Sequence, residues 1–282
     1  MAMLRHHAIF AAATFALLFP SSFAHAQSGA DPFASLVAAE RDFAADAQRI
    51  GITGAFRAHA ASDSVLLTPE PVAAPERLAK QRDTPGLTLE WHPSVAGIAR
   101  SHDLGFTTGP YRMVDGGRVL AGQFLTIWSR GADGRWRWFL DHGLPPQAAE
   151  GAASLPTQVI RLADAAQAKP EGEVGQSLEL AEQALNAGYL EKGVAALLPV
   201  LAEDGYLLRT HVGSIAKPDA ARLAPDTRRF ARAEQLGTRI SGAGDLAASY
   251  GRLVPATGAP AYYVRVWRRD GVTWQLLIDE LV

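Results

Sequence analysis

One predicted strand ends in two side chains that can transfer protons. The strand passes through Trp136 and Trp138 and continues into Asp141 and His142. Carboxylates and imidazoles are common general bases and acids. Strict alternation places His142 on the face of the two tryptophans and Asp141 on the opposite face. We therefore expect at most one of the pair to line a pocket, and Asp141 also fits a structural role in the turn before Gly143.

Other kinds of catalytic site are not predicted. The eight histidines do not cluster at metal-ligand spacing, and no HExxH pattern occurs. The Gly-x-Ser-x-Gly and Gly-x-x-x-x-Gly-Lys-Ser/Thr patterns are both missing from the sequence. The formal net charge is -2, and no basic run stands out. We expect no metal, no cofactor and no nucleic-acid partner.

The start of the sequence indicates a secretory signal peptide over residues 1–26. A basic start with Arg5 precedes an apolar run over 8–19 and small residues at 24–26. That run is too short to span a bilayer, and no later segment is long and apolar enough. We expect cleavage before Gln27 and a periplasmic or secreted protein with no membrane span. Because the chain has no cysteine, its stability must come from packed cores.

The elements before the proton-transfer residues predict an α+β domain. Apolar residues recur at helical spacing over 31–50, with Glu40 assigned to the polar face. A shorter helix over 52–61 and a strand over 63–69 follow. Segments within 103–143, rich in β-branched and aromatic residues and separated by glycine breaks, predict an antiparallel meander. Helices followed by successive strands are typical of the α+β class.

The same order of elements occurs twice in the chain. We predict a first domain over 31–144, a Pro- and Gly-rich linker over 145–176 with a short helix near 157–168, and a second domain over 177–282. Matching residues recur at a nearly constant offset, which indicates an internal duplication. The matched pairs are Glu40 and Glu182, Gly51 and Gly193, Asp103 and Asp245, Gly109 and Gly251, Trp128 and Trp267, and Asp141 and Asp279.

These motifs resemble the nuclear transport factor 2-like superfamily, also called SnoaL-like or cystatin-like. They are Ala-Glu-Arg-Asp-Phe at 39–43, the strand at 63–67, Asp-Leu-Gly-Phe-Thr-Thr-Gly at 103–109, and the stretch from Trp128 to Asp141. The closer resemblance is to exported bacterial domains of unknown function. It implies two tandem cone-shaped domains, each with helices packed in the concave face of a bent antiparallel sheet.

The resemblance also implies candidate site residues. In active cones such as ketosteroid isomerases and polyketide cyclases, an Asp or His moves a proton beside a carbonyl, and a Tyr or a protonated carboxyl holds the oxygen. Asp141 or His142 would then be the base and Tyr111 the donor, in a cavity that desolvates the acid. Further candidate wall residues are Trp91, His92, Gln123 and His59, although both histidines also fit surface positions.

Three functions remain open from the sequence. The first is binding of a small apolar molecule in the first cone, with a mainly structural second domain. The second is a cofactor-free isomerase, dehydratase or cyclase, and the third is a protein-interaction module. The second copy replaces His142 with Glu280, so it is not expected to carry the same site. Pairing of the two domains within the chain is predicted through the outer sheet faces, at Arg135, Phe139, Leu125 and Ile127.

Overall fold

The computed structural model describes residues 31–148, 155–165, 173–223 and 228–282. The predicted signal peptide lies outside the described residues. Residues 31–282 form one compact unit. No helix in the described ranges is both long enough and apolar enough to cross a membrane.

The helices lie at the start of each half of the chain. The first begins after Asp31, whose side chain accepts a hydrogen bond from the backbone N–H of Phe33 at 3.1 Å, and it ends before Gly51 at a φ of +83°. The described α-helices are α1 Pro32–Ile50, α2 Ile52–His59, α3 Ala74–Lys80 and α4 Val174–Lys192, with 3-10 helices at Gly193–Ala196 and Lys217–Leu223. The predicted long helix in each half is confirmed.

The strands form a nine-stranded sheet in the first half and a six-stranded sheet in the second. The first contains β1 Ala60–Leu67, β2 Pro71–Ala73, β3 Thr88–Trp91, β4 Val95–Ile98, β5 Leu104–Asp115, β6 Arg118–Arg130, β7 Trp136–Gly143, β8 Gln147–Ala148 and β9 Ile160–Arg161. The second contains β10 Leu201–Arg209, β11 Gly213–Ala216, β12 Arg232–Ile240, β13 Leu246–Val254, β14 Ala261–Asp270 and β15 Thr273–Leu281. With α1–α3 and α4 respectively, these sheets form the first cone and the second cone.

Each sheet contains an antiparallel meander with the strand that follows the opening helices added in parallel, and β9 is a second parallel strand in the first sheet. Strands β5, β6 and β7 pair antiparallel, as do β13, β14 and β15. However, β1 runs parallel to β7, and β10 runs parallel to β15. The predicted sheets were antiparallel throughout. Because the whole meander separates β1 from β7 along the chain, the two strands can meet in parallel, which a hairpin does not permit.

The helices pack on one face of each sheet, which we call the inner face. In the first cone, Leu36 and Phe43 of α1 pack in one buried cluster with Trp128 and Trp138. In the second cone, Leu178 of α4 lies in a buried hydrophobic cluster that contains Trp267. The predicted α+β class is therefore observed in both halves.

The opposite, outer faces of the two sheets share one hydrophobic cluster. Leu125, Ile127 and Phe139 of the first sheet pack in the cluster that contains Val264 and Val266 of the second. These two valines occupy the positions in β14 that Leu125 and Ile127 occupy in β6. Arg135, which was grouped with these residues, lies exposed in the turn before β7 instead.

Two turns make the same contact in both directions. The backbone N–H of Gly242 donates to Asp103 Oδ2 at 2.8 Å, and the backbone N–H of Arg100 donates to Asp245 Oδ2 at 3.0 Å. Asp103 and Asp245 are matched residues of the repeat. Such reciprocal contacts are typical of a two-fold interface.

The predicted helix near 157–168 is wrong over its described part. Residues 157–165 contain no helix, and Ile160–Arg161 within them form β9, which adds in parallel to the edge of β4. The backbone N–H of Ile160 donates to the Ser94 carbonyl at 2.8 Å, while that of Ala163 donates to Asp204 of the second sheet at 3.0 Å. The weak helical pattern is overridden because the buried backbone N–H and C=O groups at the edge of β4 need hydrogen-bond partners, and a short strand supplies them.

His142 and Glu280 face each other across the two sheets. His142 Nδ1 lies 3.0 Å from Glu280 Oε2, and the Glu280 side chain is fully buried. The two residues occupy matched positions, directly after Asp141 and Asp279. Burial alone would lower the pKa of His142, but the charge of Glu280 and its hydrogen bond raise that pKa above its ordinary value.

We expect Glu280→Gln to lower the free energy of unfolding by ~3 kcal/mol at pH 6, because it leaves a buried imidazolium without its partner. A raised histidine pKa stabilises the fold fully below the unfolded value of 6.5 and loses that effect as pH rises through the folded value. The difference between wild type and variant, measured by urea unfolding at a series of pH values, should therefore be largest below pH 6.5 and shrink as the pH rises through the folded pKa of His142. The exchanged pair, His142→Glu with Glu280→His, is the control and should keep most of the stability.

Candidate functional site

An apolar cavity of about 220 Å³ lies on the inner face of the first cone. Its mouth includes the exposed residues Gly143 and Pro146. Asp141 is the one acid in its lining. The remaining lining residues are Phe56, Leu89, Trp91, Tyr111, Met113, Phe124 and His142.

Glu40 of α1 is completely buried in the first cone. Its carboxyl group accepts hydrogen bonds from Trp91 Nε1 at 2.5 Å, from Trp128 Nε1 at 3.0 Å and from the Thr107 hydroxyl. Burial raises the pKa of Glu40, and these hydrogen bonds oppose that rise. A buried carboxyl that is satisfied by three donors holds α1 against the sheet.

Asp141 lines the cavity and has an unusually high pKa. The Thr126 hydroxyl donates to Asp141 Oδ2 at 2.9 Å. Burial, followed by the charge of Glu40, raises the pKa of Asp141 to about 7, although the Thr126 hydrogen bond and His142 lower it. Close to neutral pH the Asp141 carboxyl can therefore both give and accept a proton.

A β-bulge turns Asp141 toward the cavity. In the pairing of β6 with β7, Ile127 is opposite Leu140 and Trp128 is opposite Trp138, which leaves Phe139 as the extra residue. The bulge shifts the alternation, so Asp141 shares the inner face with Trp138. The expectation that His142 shares that face is wrong: His142 borders the cavity, but its ring points to Glu280.

Tyr111 also lines the cavity, with its hydroxyl already engaged. That hydroxyl donates to the Leu144 carbonyl at 2.5 Å. Burial and the charge of Glu280 raise the pKa of Tyr111 to about 12. Gly122 is its partner on β6, and any Cβ there would lie 2.5 Å from the ring, so glycine is required for this contact.

The structure brings Asp141, Tyr111 and Trp91 together, with the indole nitrogen of Trp91 engaged by Glu40. His142 borders the same cavity, but the remaining candidates lie elsewhere among the described residues. His59 Nε2 lies 2.9 Å from Asp46 Oδ2 on the helices, and His92 Nδ1 lies 3.2 Å from the Pro156 carbonyl.

Gln123 lines a separate cleft near His211, between β6 and the β10–β11 hairpin. Within the described ranges, no three His, Asp or Glu side chains are close enough to hold a metal ion.

Glu40 and Thr126 were missed as site residues. Sequence analysis placed Glu40 on the polar face of α1, yet it lies in line with the buried Leu36, Phe43 and Ala47. That spacing, four residues after Leu36 and three before Phe43, was the available signal. Thr126 carried no signal, because a threonine in a strand is ordinary.

The second cone holds the matched acids in ion pairs. Arg265 Nη1 lies 2.6 Å from Glu182 Oε2, and Arg265 Nε lies 2.9 Å from Asp279 Oδ1. A second cation, Arg209, lies 2.6 Å from Asp279 Oδ2. All of these side chains are at most 4% exposed. The two arginines therefore balance the charges of the two acids and occupy the space beside them.

We expect Asp141→Asn to stabilise the fold above pH 7. Folded Asp141 holds its proton to about pH 7, whereas unfolded Asp releases it near 3.8. Wild-type stability therefore falls as pH rises through this window, and the asparagine variant does not share that loss. The gain should be ~1–3 kcal/mol at pH 8 in urea unfolding and close to zero at pH 4.

The matched control is Asp279→Asn, which leaves Arg265 and Arg209 without their carboxylate. It should destabilise the fold by ~3–5 kcal/mol at pH 7. Equal losses in the two variants would contradict the different roles of the two acids.

No protein-family model matches this chain, and no curated protein matches it. Solved structures do match over part of it. A protein of unknown function with a cystatin-like fold from Nostoc punctiforme is 17% identical, at a TM-score of 0.31, over 38% of this chain and 88% of its own. An NTF2-like protein from Cytophaga hutchinsonii is 13% identical, at a TM-score of 0.32, over 39% of this chain and 98% of its own.

A cystatin-like fold protein from Burkholderia xenovorans is 10% identical, at a TM-score of 0.33, over 39% of this chain and 92% of its own. Likenesses at this level carry no argument about function.

Proposed function

We propose that this chain is an exported protein whose first cone binds a small, largely apolar molecule. The observation that carries the proposal is the cavity of about 220 Å³, which four aromatic side chains surround and in which Asp141 is the one acid. A largely apolar pocket with a few polar groups is the usual form of a small-molecule site.

The size of the cavity limits the ligand. An apolar cavity of ~150 Å³ can hold benzene, and sites for drug-sized ligands start near ~300 Å³. The observed cavity of about 220 Å³ lies between these values. A compound with one ring and a short substituent is the best match.

The second candidate function is cofactor-free proton transfer on a hydrophobic carbonyl compound. The pKa of Asp141, raised to about 7, favours it, because a general base is most effective near the working pH. The Tyr111 hydroxyl already donates to the Leu144 carbonyl, so it does not offer its proton to a substrate oxygen. This observation favours binding over catalysis. His142 is equally engaged, by Glu280. An isomerase, dehydratase or cyclase would have to rely on Asp141 alone.

We also propose that the second domain is mainly structural and pairs with the first within the chain. The shared outer cluster and the reciprocal turn contacts support this pairing. The same contacts weaken the interaction-module alternative, because the outer sheet faces that would dock a partner are already in contact.

The binding proposal is tested by NMR with toluene as the probe. Saturating toluene should shift the indole signal of Trp91, which lines the cavity, and leave that of Trp267, which is 1% exposed, unchanged. Met113→Trp, which fills the cavity, should abolish the shift, and Leu236→Trp on exposed β12 is the matched control. Binding that survives Met113→Trp, or the lack of any shift, would contradict the proposal. Native mass spectrometry of the protein from its own envelope would identify the natural ligand.

Proton transfer is tested separately with cyclohexanone in deuterated water. If Asp141 is a base, the wild type should accelerate deuterium uptake beside the carbonyl, with a rate that rises through about pH 7, and Asp141→Asn should abolish that acceleration. Binding of toluene without any acceleration would leave a binding protein and exclude this enzyme.

A further inference from the structure

The two cones differ at one strand position beside the paired acids. In the first sheet, Thr126 is opposite Asp141 and Thr107. In the second sheet, Arg265 is opposite Asp279 and Ser249 in the same registers. Thr126 and Arg265 therefore occupy equivalent places, and each is next to the buried glutamate of its cone.

The second cone shows what this pair of acids binds. The Arg265 guanidinium lies between Glu182 and Asp279, at 2.6 and 2.9 Å, with a side chain that is 1% exposed. Its charged carbon lies 3.9 Å from the centre of the Tyr263 ring. Two carboxylates and an aromatic face thus enclose one planar cation.

The first cone has the same acids without that cation. Thr126 carries no charge, and its hydroxyl donates to Asp141 Oδ2 and also interacts with Glu40. No lysine or arginine lines the cavity, and His142 is paired with Glu280. Among the described residues, no group donates to Asp141 Oδ1, which leaves this oxygen for a ligand.

Aromatic side chains surround the space next to Asp141. Phe56, Trp91, Tyr111 and Phe124 all line the cavity. Aromatic faces attract cations, and aromatic cages with a nearby carboxylate recognise them. A planar cation on a ring would pair with Asp141 and pack against these faces, as Arg265 does in the second cone.

We propose that the first cone selects a small apolar molecule that carries an amidinium or guanidinium group, which pairs with Asp141 as Arg265 pairs with Asp279 in the second cone. The inference rests on the proposed binding function and names the ligand class. It also makes Arg265 a permanent internal occupant of the second cone, so that a chain takes one ligand.

Binding of such a cation depends on the protonation of Asp141. The groups that face Asp141 are Glu40 from α1, its neighbour His142, Glu280 from β15 and Tyr111 from β5. Among these, Glu40 and Glu280 favour a proton on Asp141, and His142 opposes it. A bound cation replaces that proton, so affinity should rise with pH through about 7 and binding should release a proton.

The test compares benzamidine with benzamide, its neutral counterpart of nearly the same shape, by calorimetric titration at pH 6 and pH 8. At pH 8 we expect benzamidine to bind about tenfold more tightly than benzamide, which matches one charge-assisted contact. The preference should shrink at pH 6. Asp141→Asn should remove the preference, while Asp46→Asn, an acid of the first cone outside the cavity, should keep it.

Thr126→Arg supplies a second variant, because it places a guanidinium from the chain itself at the acid pair. It should abolish binding of both probes, and carbon NMR of the Asp141 carboxyl should show a pKa that has fallen below the wild-type value. This readout is independent of any ligand.

Equal affinities for the two probes at pH 8 would overturn the cation inference and leave the binding function standing. Failure of both probes and of toluene would overturn both proposals.

Discussion

A buried carboxyl group on the first helix of each half organises both cones. Glu40 and Glu182 are completely buried, and each accepts a hydrogen bond from a tryptophan indole on the facing sheet. A buried charge is costly in free energy unless it is paired or protonated. Each buried glutamate therefore needs hydrogen-bond donors or a cation next to its carboxyl group. The first cone surrounds Glu40 with neutral donors, and the second pairs Glu182 with Arg265. The first cone has an open cavity beside Asp141, whereas Arg265 lies beside Asp279 in the second.

The outer faces of both sheets contribute residues to one hydrophobic cluster. Matched apolar residues from both sheets share one cluster, and the reciprocal turn contacts preserve an approximate two-fold relation. His142 and Glu280 break this relation, because they occupy matched positions but one is a base and the other is an acid. Two buried glutamates or two imidazolium groups at this place would repel each other. The difference therefore favours pairing of unlike halves over pairing of identical ones.

The second cone satisfies its acids within the chain. Arg265 forms ion pairs with both Glu182 and Asp279. Replacing a proton by a guanidinium stabilises the buried acids without a ligand, provided the geometry is good. The proposed ligand of the first cone follows the same physical rule: it must satisfy Asp141 and bury an apolar body.

The sequence by itself determined the order of elements, the meander, the α+β class and the duplication, because period, glycine breaks and repeated spacing are local properties. The inward direction of Asp141 was decided by the tertiary structure, since the bulge at Phe139 depends on pairing with β6. The burial of Glu40 followed from packing of α1 on three donors that lie far away in the sequence. Residues 157–165 contain the short strand β9 instead of a helix because a sheet edge offered hydrogen bonds that no local pattern reveals.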